Sequence, residues 1–410
     1  MSLYDAQGAA RRVYDAAGNP VTWYDAQGRI VSGGGEPVPS VNYARNEHPN
    51  HLAQWWNTLA TADSSRVSMM WATNSLYGYY ANDAATVNYP VFNTLGHIGR
   101  DRTAVAERFG DRGEGVIPFN DWRWTTTGTT TSDTYGFSMR GTVIGPGVAA
   151  TLAGVQFTKV RIARPVRTLP DVAPTYQVDG GAAVTGATGT AVGQIIRDEI
   201  TAPDGTHTLT INGPASGSVT IASVAVLHDG PGVVIHRNSS PGGYVYNFLE
   251  AKSGDSSGTQ RRLTYTLDEY DVDLLVLAFG HNEWRSGQAL GTPITPTKFY
   301  NDTMFILDHQ CGVRGKNAVL PIGPGASVIG SPAYPEEAFW DVYRQIAADN
   351  ERVDCFDYRP IIGPFTEAGA GTWVDGVHQN AEGHRLMHLV DMASLLPEGA
   401  ALTQRIVDAA

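Results

Sequence analysis

Apolar positions fall into three regimes along this chain. In the first, "YDAQG" at Tyr4, "YDAAG" at Tyr14 and "YDAQG" at Tyr24 recur at intervals of ten residues. Each unit is a short apolar stretch closed by a turn ending in glycine, a pattern that predicts small β-hairpins or strand–turn repeats. Three such units bury too little surface to be stable alone, so they are expected to associate with copies of themselves or with a partner. "SGGGEPVPS" (Ser32–Ser40) follows and reads as a linker.

In the second regime, residues 125–229, Thr, Val and Gly dominate. Short runs such as "VQFTKVRIAR", "GTHTLTING" and "GSVTIASVAVLHDG" alternate in polarity between turn signals. Period-two alternation at this spacing predicts an all-β sandwich of the jelly-roll type.

The third regime brackets the second. Upstream, helix-like "HLAQWWNTLATA" precedes the apolar run "SRVSMMWATNS", and a helical stretch lies around residues 90–110. Downstream, strand-like "GVVIHRNSS", "DLLVLAFG", "NAVLPIG" and "RVDCFDYRP" alternate with helix-like "PTKFYNDTMFILDHQCG", "PEEAFWDVYRQIAADN" and "NAEGHRLMHLVDMASLLP". Strands that are apolar throughout and alternate with helices predict a parallel sheet covered on both faces. The expected organisation is an N-terminal repeat segment with its linker (1–36), an α/β domain in two parts (37–124 and 230–410), and a β-sandwich inserted between them (125–229).

Composition narrows the partners. With 42% hydrophobic and 17% charged residues the chain is that of a globular protein. Its net charge of −12 argues against nucleic acid, whose phosphates need a basic face. No apolar run is long enough to cross a bilayer, and the first residues lack the apolar core of a signal peptide. The expectation is a protein that acts in the cytoplasm or leaves the cell by another route. Cys311 and Cys355, each in an apolar element, are expected to be buried thiols. His48 and His51 are close enough to share a metal but have no evident third ligand, so neither metal nor cofactor is expected.

The candidate chemistry lies where strands end. "MMWATNSLYGY" puts Ser75 just after the first α/β strand, and "HRNSSPGGYV" puts Gly242 and Gly243 after the second. "LAFGHNEW" puts Asn282 after the third, with Gly280 permitting a sharp turn. "TWVDGVHQN" sets Asp375 three residues before His378, ahead of the last helix. A carboxylate this near an imidazole can fix its tautomer and leave the other ring nitrogen free as a general base. Backbone N–H groups at glycines and a side-chain amide can stabilise a developing oxyanion. Carboxyl ends of strands are where open α/β sheets hold their ligands.

Taken in order, Ser, Gly, Asn and Asp-x-x-His resemble the blocks of the SGNH (GDSL-type) hydrolase superfamily, over roughly residues 60–124 and 230–395. "DGVHQNAEGH" is the most specific piece and "GHNE" the next. The chain departs from the pattern at Thr73-Asn74-Ser75, where the family usually has Gly-Asp-Ser, and at Glu283, where it more often has Asp. The resemblance implies a flavodoxin-like sheet. It also implies a triad of Ser75 (nucleophile), His378 (base) and Asp375 (orienting carboxylate). The oxyanion hole would comprise the N–H groups of Ser75 and Gly242 and the side chain of Asn282, with Gly243 a close rival to Gly242. "SGDSSG" also mimics a nucleophile motif at Ser256. That serine follows a helix-like stretch instead of a buried strand, and comes too late to leave room for the glycine block before Asn282.

Trp71, Tyr77, Trp284 and Trp373 flank these blocks. Each can pack in the core or stack on a sugar ring. His281 is expected to be a structural or substrate-facing neighbour, and His384 a packing residue. The function expected is a serine esterase that removes acetyl or other short acyl groups from a polysaccharide. Two alternatives stand beside it: a catalytically degenerate, glycan-binding receptor protein, which the Thr-Asn-Ser block allows, and a lipase or thioesterase, for which no apolar lid is evident. The N-terminal repeats resemble attachment segments of phage tail proteins. They imply a virion protein acting on the bacterial cell envelope, joined to other tail proteins through residues 1–31 and most readily trimeric. A bacterial cytoplasmic or cell-surface enzyme is the competing setting.

Overall fold

The computed structural model describes residues 45–74, 97–110, 113, 115–117, 119, 123–133, 141–239, 243–249, 262–289, 292–323, 325, 332–365, 371–373 and 377–397, with the backbone of four short strands near the N-terminus. Those four strands form two hairpins. Val13–Tyr14 pairs with Pro20–Val21, and Trp23–Tyr24 with Ile30–Val31, all antiparallel. Tyr14 and Tyr24 of the second and third "YDAxG" units lie in these strands, and the rest of both units lies outside the described residues. The first unit lies outside the described residues.

Five parallel strands form the central sheet: β1 (Arg66–Thr73), β2 (Gly232–Ser239), β3 (Leu274–Ala278), β4 (Asn317–Ile322) and β5 (Val353–Asp357). Their order is β2-β1-β3-β4-β5. This is the flavodoxin-like arrangement, which places its switch point between β1 and β3. The sheet is buried on both faces, which is why β3 and β4 read as nearly continuous apolar runs.

Alternate residues divide the core in two. Val67, Met69 and Trp71 face α1 (Ala53–Leu59), α2 (His97–Phe109) and the C-terminal helix Ala381–Leu395. Met70 and Ala72 face the opposite layer, which contains Arg262–Glu269 (α3), Pro296–Leu307 (α5) and Glu337–Asp349 (α6). Between α3 and α5, helix α4 (His281–Ala289) starts directly after β3. We number the short helix Arg359–Ile362 α7 and the C-terminal helix α8. Cys311 and Cys355 are both buried thiols, and burial pushes the Cys311 thiol up to about 12.

A buried pair ties α2 to α8. His388 Nδ1 lies 2.6 Å from Asp101 Oδ1. Burial, helped by Arg100 and Arg385, pushes the imidazole down to about 3, so it stays neutral. Burial also raises Asp101 and its neighbour Asp391, the latter an acceptor of the Tyr358 hydroxyl.

The insertion consists of antiparallel sheets of five, four and three strands around a core that includes Ile144, Leu152, Phe157, Ile162 and Leu209. Its strands alternate as the sequence does: Ile196, Asp198 and Ile200 point inward, while Arg197 and Glu199 point out. The insertion reaches upstream of residue 125, because Gly115–Val116 pairs with Ser223–Leu227 and Ile117 sits in the sandwich core. Gly115 has φ +64°, and a Cβ there would lie 2.7 Å from His236 Nδ1 on β2, so only glycine fits where insertion and central sheet meet. The contact is reinforced by Arg197, whose Nε is 2.6 Å from Glu269 on α3, and by Ser223 and Tyr270, whose hydroxyls are 2.7 Å apart.

This placement makes a prediction. A fragment of residues 113–229 should melt cooperatively at a higher temperature than one of residues 125–229. The shorter fragment loses an edge strand and the wholly buried Ile117, a loss of about 2 kcal/mol or more for a large core side chain. Equal melting temperatures by circular dichroism would contradict the pairing.

Candidate active site

Thr73 is level with Ala278 on β3 and with Ser239 on β2, so β1, β2 and β3 finish together at the switch point. Thr73 and Asn74 close β1 fully buried. An ionised aspartate buried at Asn74 would pay a large desolvation cost that a neutral amide avoids. Ser75, the next residue, lies outside the described residues, as do Tyr77, Gly242, Ser256 and Asp375.

The β3–α4 turn is shaped by Gly280. Its φ is +103°, and a Cβ would sit 2.5 Å from the Trp340 ring, so the turn is closed to other side chains. Helix α4 begins at once, and Trp284 N donates to Gly280 O at 2.9 Å. Asn282 is thereby held in the first turn, half-buried, and its Nδ2 donates to Gly243 O at 2.9 Å. One amide hydrogen is spent on the glycine loop. The structure thus brings the glycine block and the Asn282 block into direct contact.

Glu283 makes the same junction from inside. It is 1% exposed, and its Oε1 accepts from Val245 N at 2.6 Å while Oε2 accepts from Gly280 N at 2.8 Å. Burial lifts its carboxyl to about 7, against the pull of these N–H groups. The sequence flagged Glu283 only as a departure from a pattern, and its role as a brace was missed. The available signal was a carboxylate next to the oxyanion amide at the N-terminus of a helix.

His281 is wholly buried beside them. Arg285 Nη1 lies 3.2 Å from its Nε2, and the ring meets Trp284 edge-on at 5.7 Å. Burial, then the charges of Arg285 and His378, push it down to about 3, so it is a neutral packing group.

The loop carrying His378 is clamped at its base. Trp373 and Gln379 form an antiparallel bridge, Asn380 N donates to Thr372 O at 2.9 Å, and Asn380 Nδ2 donates to Gly371 O at 2.7 Å. Asn380 also caps α8, its side chain accepting from Gly383 N at 3.0 Å. His378 sits half-buried in this closed loop. His384, one turn into α8, is buried, consistent with packing.

The aromatic candidates resolve differently from sugar platforms. Trp71 and Trp373 are buried in the core layer under α8, and Trp284 is 5% exposed. All three pack in the interior. Their nearness to the blocks in sequence reflects strand and loop parity, and it does not carry them to the surface. His48 and His51 stack on each other at 5.0 Å, and His51 Nδ1 is 2.8 Å from Val353 O, which anchors the first helical turn to β5.

Comparison with solved structures identifies the fold. The chain is similar to a peptidoglycan O-acetylesterase with a TM-score of 0.59 at 14% identity, covering 90% of this chain and 99% of that one. It is also similar, at lower TM-scores, to two others. A family two carbohydrate esterase from Cellvibrio japonicus gives 0.30 at 12% identity, covering 71% of this chain and 98% of that one. A putative GDSL-like lipase from Parabacteroides merdae gives 0.32 at 19% identity, covering 42% and 74%. No family model matches the chain, and no curated protein matches it. The fold, a flavodoxin-like α/β sheet with an inserted β domain, is shared with the first of these structures over nearly its whole length.

Proposed function

We propose that this protein is a serine esterase of the SGNH superfamily that removes acetyl or other short acyl groups from a polysaccharide of the bacterial cell envelope. One observation carries the reading: at the switch point of an SGNH-type sheet, Asn282 is hydrogen-bonded to the glycine loop. The full-length likeness to a peptidoglycan O-acetylesterase supports the choice of substrate class.

In this mechanism His378 takes the proton of Ser75 Oγ as that oxygen attacks the ester carbonyl. Asp375 orients the imidazole and stabilises its charged form. The oxyanion is met by Asn282 Nδ2 and by the N–H groups of Ser75 and Gly242. Collapse of the tetrahedral intermediate expels the sugar hydroxyl, which takes the proton from His378. Water, deprotonated by the same imidazole, then releases the carboxylic acid from the acyl-enzyme.

The inserted sandwich is the part suited to gripping the glycan. The N-terminal hairpins, with strands of two residues each, suit attachment to other tail proteins or to two further copies of the chain. That reading places the protein on a virion, acting outside the host cell. The experiment is release of acetate from O-acetylated peptidoglycan. Acetate release by the wild type supports the esterase. Retention on the same glycan with no acetate released favours the degenerate binding protein, which the Thr73-Asn74 block allows.

A further inference from the structure

Glu283 is a buried acid with no part in the proton transfers above, yet it touches both loops that carry the oxyanion donors. Its two oxygens accept N–H groups from opposite sides: Val245, two residues after Gly243, and Gly280, two residues before Asn282. Asn282 Nδ2 to Gly243 O is a second tie across the same junction. The Gly243 loop is therefore held to the β3–α4 turn at two points, and one of them is a carboxylate whose acceptors are both used.

We propose that Glu283 is a positioning residue that sets the spacing between the glycine donor and the Asn282 amide, and that it does so fully only as a carboxylate. This rests on the esterase reading of the site. A carboxylate offers acceptors to both N–H groups. On protonation one oxygen becomes a donor facing an N–H, and one tie is lost. An oxyanion hole acts through donors fixed before the charge develops, so loosening it weakens transition-state binding more than substrate binding. Charged and titratable groups around Glu283 come from each packed element. Asp302 on α5, itself paired with Lys298, opposes ionisation. Tyr343 on α6 and Tyr244 in the glycine loop are neutral phenols, raised by burial and then by nearby acids including Glu283. Burial holds Glu283 near 7, so the switch from one tie to two falls at neutral pH.

The test compares wild type, Glu283→Gln and Glu283→Asp for p-nitrophenyl acetate hydrolysis from pH 5 to 9, with circular dichroism as a folding control. Glu283→Gln keeps the length but has one acceptor, and Glu283→Asp keeps the charge but is one methylene short. The expected result is a kcat at least tenfold lower in Glu283→Gln with KM within threefold, and an intermediate kcat in Glu283→Asp. The acid limb of kcat should be shallower in Glu283→Gln by one ionisation, leaving that of the general base. In parallel, the amide resonances of Val245 and Gly280 should titrate in the wild type with one shared midpoint near 7 and stay flat in Glu283→Gln. A kcat for Glu283→Gln within twofold of wild type, or amides that titrate independently, overturns the proposal. If the wild type cleaves no ester, the proposed function fails, and the shared amide titration alone decides whether Glu283 joins the loops.

Discussion

Replacing Ser75 by alanine should lower turnover by several orders of magnitude, whereas Ser256→Ala should change it by less than about threefold. Losing a triad nucleophile removes the covalent route and leaves only the residual rate from binding and the oxyanion hole. The assignment follows from chain order and topology. β1 is an inner strand beside the switch point, and its carboxyl end is level with those of β2 and β3. Ser75 is the second residue past that end. Ser256 falls between the glycine loop and α3, and the described element before it is the short helical stretch Val245–Leu249. Parallel assays of the two variants on p-nitrophenyl acetate decide between them, and a greater loss in Ser256→Ala would reverse the assignment.

The next largest effect should come from Asn282→Ala. Removing a single oxyanion donor costs about 10²–10³ in kcat where such donors have been deleted. Here the same amide also holds Gly243 O, so the glycine loop loses one of its two ties at the same stroke. We expect a fall at the upper end of that range with KM little changed, since both losses fall on the charged intermediate. Asn282→Asp should be no better, because a carboxylate cannot donate to Gly243 O and would repel the oxyanion. A kcat for Asn282→Ala within fivefold of wild type would remove Asn282 from the oxyanion hole.

Much of this architecture could be read from the chain because a parallel sheet buried on both faces leaves nearly continuous apolar runs, as in β3 and β4. The insertion was legible from the opposite pattern, strict alternation, as in Ile195–Thr201. The blocks at Ser75, Gly242 and Asn282 stand out because each follows a strand, and the Asp375–His378 block because it precedes the last helix. Gly115–Val116 was not legible, since a two-residue strand within "GEGVIP" has no period to read, and only the pairing with Ser223–Leu227 reveals it. The Asp101–His388 tie joins residues 287 positions apart and leaves no local trace. Parity could have placed Trp71: it shares a face with Val67 and Met69, toward the helices, so it is core. Glu283 was legible as a residue type but not as a brace, because its partners are backbone N–H groups, which sequence does not distinguish.

The account turns on an esterase nucleophile at the end of β1. The most direct measurement is covalent labelling of the full chain with diethyl p-nitrophenyl phosphate, followed by peptide mass spectrometry. The phosphorus of this reagent is attacked by an activated serine oxygen, with loss of p-nitrophenol, and the adduct marks the residue. We predict a single diethylphosphoryl group on the peptide containing Ser75, formed in step with loss of esterase activity and absent in Ser75→Ala and in His378→Ala. An adduct on Ser256, or an active enzyme that acquires none, would contradict it.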